Sequence, residues 1–392
     1  MKTVEHLNAL VRSGMTSQAA LDALNQETGI NSSVYPGGLV VLNYDQIASP
    51  KKHPMVVECR GLILHVNDHG KFEVVSRSFD RFFNLGECEE HKDITCLKEH
   101  HVFEKVDGSL IRVYRHQHEW HIATRGTAFA ESGVNGFDVT FRSLFLRAAG
   151  LSEVEFQNAM DNTAAVLRRQ MVVDGLTFIF ELATRENRVV TPYSEDQLVL
   201  IGARWLNGEE QDLFGLSTIC EIMAQYGHIN VRMPRVWELN SIEEIKKAVA
   251  ELGGLQEGFV VSHKYDISRF KLKSAAYLVA HHIRNNGTLT PNRVAELIVT
   301  GEHVEYLTYF PEDMRFFEEM IKAYDQLLLD IPFIESRAKE YEDQKSFALM
   351  VKDYPFSDAL FRGRKTNTPA LQCFLAKDTM YKVKVLQAAS KS

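Results

Sequence analysis

The chain has 392 residues, 45% hydrophobic and 24% charged, with a formal net charge of −8. That is an ordinary globular composition, long enough for two domains or three. The acidic balance excludes a uniformly basic nucleic-acid binder, so any polyanion must be met by a local patch.

Residues 2–25 carry helical spacing, with Ala19, Ala20, Leu21 and Leu24 on one face and Thr16 or Ser17 as a cap. From Gly38 to about Tyr114 the pattern predicts short strands: Leu39–Leu42, Gly61–Leu64 and Phe72–Val75. Val102, Phe103 and Val106, then Leu110–Tyr114, read as strands around a tight Asp107-Gly108 turn. Residues 120–124 add another strand, and 141–171 switch to helical spacing with a capping box at Ser152–Glu155. Strands return at 177–182, 198–203 and 258–262, and Ser241–Glu244 opens a further helix. After Lys273 no strand pattern remains. Thr290-Pro291 and Phe310-Pro311 place proline where helices begin, and 327–329 and 347–351 supply core-type apolar runs. The expected fold is α+β: residues 1–274 form mainly antiparallel sheets with flanking helices, and 275–392 form a mostly helical domain. The five cysteines are scattered and include no Cys-x-x-Cys pair, which argues against a zinc site or a disulfide framework and fits a reducing cytoplasm. No stretch approaches the roughly 18 apolar residues of a membrane span, and no secretion signal is expected.

Six segments carry polar groups suited to phosphate chemistry. Lys105 and Asp107 stand two apart on an extended segment, so both can face one ligand. Arg60-Gly61 precedes an apolar strand. Arg77, Arg81 and Asn84 surround Phe79, Phe82 and Phe83. Glu181 ends the apolar run from Phe178, and Glu257 stands at the mouth of a strand. Arg269, Lys271 and Lys273 alternate onto one face. Each segment alone also suits a plainer role, such as a surface hairpin, aromatic core or a basic edge strand that resists aggregation.

Their order is the stronger signal. Lys105-x-Asp107-Gly108, then Phe-x-Phe-Glu181, then Glu257-Gly258, then Lys271-x-Lys273 resembles the covalent nucleotidyltransferases, the superfamily of ATP-dependent ligases and GTP-dependent mRNA capping enzymes. More closely, Glu58–Gly61, Arg81–Glu87, Lys105–Leu110 and Glu181 followed by Asn187–Tyr193 resemble the tRNA-repair RNA ligases of tailed bacteriophages. The resemblance covers roughly residues 38–280 and is loose beyond. It implies Lys105 as the nucleophile that takes AMP from ATP, with Lys271 and Lys273 as catalytic cations. It implies an ATP site of Arg60, Arg81, Glu104, Lys105, Glu181, Lys271 and Lys273, with Glu181 at the ribose and with Arg60 and Arg81 holding phosphates, either of ATP or of the RNA 5′ end. Glu257 and Asp107 would anchor magnesium, for which manganese can substitute. Where the phage ligases carry lysine, this chain has Arg81 and Arg125.

A lysine attacking phosphorus must be neutral, against an unperturbed pKa of about 10.4. Lys271 and Lys273 are expected to depress it and to neutralise the departing pyrophosphate. AMP would then pass to an RNA 5′-phosphate, and a 3′-hydroxyl would seal the ends. The helical pattern after Ser274, in place of a barrel, favours the phage arrangement over DNA ligases or capping guanylyltransferases, which stay as alternatives beside a catalytically silent RNA-end-binding protein. Basic residues dominate from 361 onward, and Arg362, Arg364 and Lys365, with Arg77 and Arg125, are expected to meet RNA. The implied partner is nicked tRNA with 5′-phosphate and 3′-hydroxyl ends, served by a separate end-healing kinase or phosphatase. A monomer in the host cytoplasm is expected.

Overall fold

The computed structural model describes residues 1–45, 48–88, 91, 94–134, 137–253, 255–278 and 289–390. The chain divides into two compact units, Met1–Val279 and Ala280–Ser392.

The first unit opens with two helices, α1 (Lys2–Arg12) and α2 (Ser17–Thr28), where the periodicity predicts one stretch. The break is local. Gly14 turns the chain at φ +100°, and the Thr16 side chain caps α2 by accepting from the Ala19 N–H. The helices cover an antiparallel sheet of β1 (Ile30–Tyr35), β2 (Leu39–Tyr44), β3 (Arg60–Val66) and β4 (Phe72–Ser76), in that order. Helix α3 (Pro54–Glu58) leads into β3. Alternation decides the faces. Val40, Leu42, Leu62 and Leu64 pack with Leu7, Leu21 and Leu24 under the helices, and Leu39, Val41 and Ile63 meet Tyr114 and Ala123 of the next sheet.

Chain order continues with β5 (Phe83–Asn84), β6 (His100–Lys105), β7 (Ser109–His116), β8 (Glu119–Thr124), β9 (Gly133–Val134), β10 (Phe137–Thr140), α4 (Phe141–Ala149) and α5 (Glu153–Leu167). Then come β11 (Leu176–Ala183), β12 (Gln197–Trp205), α6 (Leu213–Tyr226), β13 (Val236–Trp237), α7 (Ile242–Glu251), β14 (Gly258–His263) and β15 (Arg269–Lys273). Both predicted capping residues, Ser152 and Ser241, accept from the N–H three residues on. One antiparallel sheet runs β12-β11-β7-β8. Its buried face, with Ile111, Phe178 and Phe180, packs on Phe145, Phe156 and Met223 of α4–α6. The other runs β13-β6-β14-β15-β5, antiparallel except where β15 meets β5.

The strands around Asp107-Gly108 do not pair with each other. β6 lies between β13 and β14, and β7 lies between β11 and β8, so the turn carries the chain from one sheet to the other. Gly108 makes this possible, because a Cβ there would stand 2.3 Å from the Leu182 carbonyl oxygen.

The second unit is helical among its described residues: Pro291–Thr300, His303–Tyr309, Met314–Ala338, Gln344–Val351, Ser357–Thr366, Ala370–Leu375 and Thr379–Ala389. Thr290 caps the first of these with Pro291 at its opening position. Leu327, Ile331, Phe347, Val351, Leu360 and Phe374 form its core. No helix among the described residues is long and apolar enough to cross a membrane.

Candidate active site

Register builds the site. Gly258 of β14 pairs with Lys105 of β6 on one side and with Lys273 of β15 on the other. Paired residues share a face, so Lys105, Lys271, Lys273 and Arg269 stand together. Gly258 has φ +140°, and a Cβ there would lie 2.0 Å from the Leu272 carbonyl oxygen, so the strands close up only around glycine. The opposite face is apolar and packs Val102, Phe259, Val261 and Phe270 against Ile245 of α7.

Glu257, 4% exposed, accepts from Lys105 Nζ at 2.7 Å and pairs with Lys273 Nζ at 3.0 Å. Burial works against its charge, but the two lysines outweigh it and hold the carboxyl below its ordinary range. Burial likewise disfavours the Lys105 ammonium, yet Glu257 and Glu181 overcome it and raise its pKa. The expectation that Lys271 and Lys273 depress Lys105 is thus reversed in the free protein, because two carboxylates face the amine. The depressed lysine is Lys271. Burial, then Lys105 and Lys273, push it down to about 8. Burial pushes Glu181 up to about 7, with Lys105 opposing.

Asp107 has a different place from the one expected. Its carboxylate accepts from the N–H groups of Val190 (2.7 Å) and Thr191 (2.6 Å) and from the Tyr277 hydroxyl (2.8 Å). Its own N–H donates to the Tyr193 hydroxyl at 2.9 Å. Both oxygens are therefore engaged in holding the 190–193 loop and Tyr277 against the lysine strand. Tyr277 and Tyr193 had no assigned role from sequence. The cue for Tyr277 was Ser274, whose hydroxyl caps its N–H just past Lys273.

A cavity of about 320 Å³ opens beside Lys105, bordered by Arg60, Phe82, Phe103, Glu181 and Arg269. Glu104 borders it too, but its carboxylate faces Arg232 (3.2 Å) and the Arg235 N–H (3.1 Å). The Phe82 ring meets three cations, with Arg60 and Lys271 at 5.3 Å and Arg269 at 5.9 Å. Arg269 also stacks on Phe79 at 3.9 Å and ion-pairs with Glu210.

Arg60 owes its aim to an irregular register. Leu42 faces Leu62 and Asn43 faces Arg60, which leaves Gly61 (φ +75°) as an extra residue. Arg112, fully buried, donates to the carbonyls of Gly61 and Thr124 (2.7 Å). Burial pushes it down to about 10. It thereby ties Arg60 to the turn bearing Arg125. Nothing in the apolar run Leu110–Tyr114 signalled this role. Arg81 and Arg125 stack on Tyr44, at 4.2 and 4.5 Å. Among the described residues, Arg60 Nη1 and Arg81 Nη1 are buried donors without a hydrogen-bond partner, which suits an anion held between them.

Of the remaining expected RNA contacts, one belongs to the first unit and three to the second. Arg77 is buried beside Asp80 (3.4 Å) and Arg204. Arg364 donates to the carbonyls of Tyr341 (2.7 Å) and Glu342 within the helical unit, while Arg362 and Lys365 are exposed.

Comparison with known proteins is consistent in kind. A family model described as RNA ligase matches residues 58–277. A protein of Autographa californica nuclear polyhedrosis virus, named putative bifunctional polynucleotide kinase/RNA ligase, is 33% identical over 361 residues, covering 89% of this chain and 49% of that protein. The chain therefore spans about half the length of that relative. The RNA ligase of Rhodothermus phage RM378 is 25% identical over 415 residues, covering 90% of this chain and 89% of its own. Among solved structures, an archaeal ATP-dependent RNA ligase is 15% identical with a TM-score of 0.45, covering 93% of this chain and 80% of that one.

Proposed function

Because the chain belongs to the RNA ligase family, we propose that it joins RNA 5′-phosphate and 3′-hydroxyl ends at the expense of ATP, with Lys105 as the nucleophile. The observation that carries this reading is the buried Lys105–Glu257–Lys273 arrangement, with Glu181 close to Lys105 and, beside the same cavity, an Arg60 donor that has no hydrogen-bond partner among the described residues.

Lys105 Nζ, once neutral, attacks the α-phosphorus; a P–N bond forms and the bond to pyrophosphate breaks. Lys271 and Lys273 lie where charge develops on the phosphates, and Arg60 and Arg81 supply donors to the leaving group. Glu181 accepts from the ribose. Asp107 positions Lys105 through the 190–193 loop. Glu257 is the carboxylate that would hold a divalent cation. Magnesium is usually bound by one or two carboxylates, substrate phosphates and water, so a single buried acid fits it. No described group of three or more acidic, histidine or cysteine side chains could hold a metal unaided. Such a cation would supply Lewis-acid neutralisation of phosphate charge. The AMP then moves to an RNA 5′-phosphate, and a 3′-hydroxyl displaces it.

Cleaved tRNA is the substrate we favour, with Arg362 and Lys365 as exposed cations on the helical unit. We favour end-healing by a separate kinase or phosphatase; the name of the Autographa californica nuclear polyhedrosis virus relative supports a kinase partner activity, since it pairs polynucleotide kinase with RNA ligase. The test is incubation with magnesium and ATP labelled at the α-phosphate. Label should remain on the denatured chain, disappear in Lys105→Ala, fail to form from labelled GTP, and chase onto 5′-phosphorylated RNA. A chain freed of pre-bound AMP that takes no label refutes the reading.

A further inference from the structure

Next to the arginine cluster lies a second cavity of about 310 Å³, lined by Asn31, Ser33, Val41, Asn43, Tyr44 and Asp45, with Gly126. Its lining comes mostly from β1 and β2, which precede the residues matched by the family model. Two of its walls belong equally to the phosphate-gripping residues. Arg81 and Arg125 stack on Tyr44, and Arg125 Nε donates to Asn43 Oδ1 at 3.0 Å. Asn43 in turn faces Arg60 across the strand pair, and Arg60 borders the Lys105 cavity. The two cavities are therefore linked through the paired residues Asn43 and Arg60, and Arg60 Nη1 and the nearby Arg81 Nη1 are buried without a hydrogen-bond partner among the described residues.

The chemistry of the proposed reaction decides what enters there. Displacement at phosphorus keeps the attacking and departing atoms in line. Pyrophosphate must leave the α-phosphorus on the side away from Lys105. In the next step an oxygen of the RNA 5′-phosphate attacks the same phosphorus, the P–N bond to Lys105 breaks, and the departing nitrogen takes up one proton. That oxygen must approach from the side pyrophosphate vacated. The 5′-phosphate thus lies against Arg60 and Arg81, and its own nucleoside, one ester bond away, lies immediately beyond them.

We propose that the Asn31–Ser33–Asn43–Tyr44 groove holds the first nucleoside of the 5′-phosphorylated RNA strand. The inference rests on the ligase reading. The groove is at the small end of small-molecule sites, with room for one nucleoside. Two amides and a hydroxyl line it, groups that can hydrogen-bond a ribose 2′-hydroxyl, the feature by which proteins tell RNA from DNA.

Ser33 is exposed on β1, opposite Val41, so Ser33→Trp fills the groove from its open side. The experiment separates the steps. Lysine adenylylation is measured with labelled ATP, and AMP transfer is measured by mixing the adenylylated chain with a 5′-phosphorylated oligoribonucleotide at subsaturating concentration in a single turnover. Ser33→Trp should keep adenylylation within twofold and slow transfer at least tenfold, while Ser33→Ala, which loses one hydroxyl but blocks no space, should keep adenylylation within twofold and slow transfer far less than Ser33→Trp does. An oligonucleotide whose first residue is abasic should react slowly with the parent and no more slowly still with Ser33→Trp. Unchanged transfer overturns the proposal. So does an equal loss of adenylylation, which would give the groove to ATP, or a defect seen only in sealing pre-adenylylated RNA, which would give it to the 3′-hydroxyl strand. Absence of any adduct on the parent chain would overturn the ligase reading itself.

Discussion

Glu181 couples the site to stability in a way that can be measured without substrate. Its carboxyl is pushed from 4.5 up to about 7, mainly by burial. The folded protein therefore holds a proton there that the unfolded chain releases. Stability from this group is fully present below pH 4.5 and is lost as pH rises through about 7. At 1.36 kcal/mol per pH unit the whole interval is worth about 3 kcal/mol. Glu181→Gln keeps the shape and removes the titration. Relative to the parent, the variant should gain between about 2 and 3 kcal/mol of stability from pH 5 to pH 8, roughly 5–10 °C in Tm for a unit of this size. Urea and thermal unfolding at pH 5, 6, 7 and 8, followed by tryptophan fluorescence, reads this directly. Trp120, Trp205 and Trp237 all belong to the first unit. A stability difference that stays constant across that range would refute the reasoning, since it would mean that Glu181 ionises in the fold as it does in the unfolded chain.

Two substitutions test the residues that hold the site in shape. Arg112→Met removes two bonds to backbone carbonyls, each worth about 1.5–3 kcal/mol, but also removes an unmatched buried cation. We expect a net loss of about 1–3 kcal/mol in urea unfolding, with adduct formation from ATP slowed because Arg60 and Arg125 are no longer tied together. Tyr277→Phe takes one of three hydrogen bonds from Asp107 and should cost about 1–2 kcal/mol. Its adduct formation should slow as the 190–193 loop loosens, while an unchanged single-turnover rate would show that the hydroxyl does not position Lys105.

Much of the site was legible because its residues alternate on strands. Arg269, Lys271 and Lys273 had to share a face whatever the strand paired with, and Glu257-Gly258 announced a strand mouth. What could not be read was register, which is non-local. That Gly258 stands between Lys105 and Lys273 depends on pairing across more than a hundred and fifty residues. The same holds for the turn at Asp107-Gly108. Locally it has the chemistry of a hairpin, yet the Leu182 carbonyl packs on Gly108 and the 190–191 amides capture Asp107. These contacts divert the chain into a second sheet. Arg112 was hidden for the opposite reason. In an apolar strand a lone arginine looks like an outward-facing residue, and only the close approach of two backbone carbonyls reveals an inward one. The break after α1 was readable in retrospect, since Gly14 and Thr16 are a stop and a cap in the right order.

The charge of Lys105 reverses the simplest argument from sequence. Two lysines nearby ought to favour a neutral nucleophile, and the strand pattern does bring them near. But Glu257 intervenes between Lys105 and Lys273, and Glu181 adds a second carboxylate. The cations therefore stabilise Glu257 first, and Glu257 keeps Lys105 protonated until something else claims the carboxylate. The free protein should thus hold its nucleophile in an unreactive form, with Lys271, at about 8, the more reactive amine. Brief acetylation of the ligand-free chain at pH 8, read residue by residue by mass spectrometry, should modify Lys271 well ahead of Lys105. Glu257→Gln removes the charge that holds the ammonium and should raise Lys105 labelling several-fold while slowing adenylylation. Rapid labelling of Lys105 in the parent, or no increase in Glu257→Gln, would mean that the ion pair does not govern the nucleophile, and activation would then have to come from the cations alone.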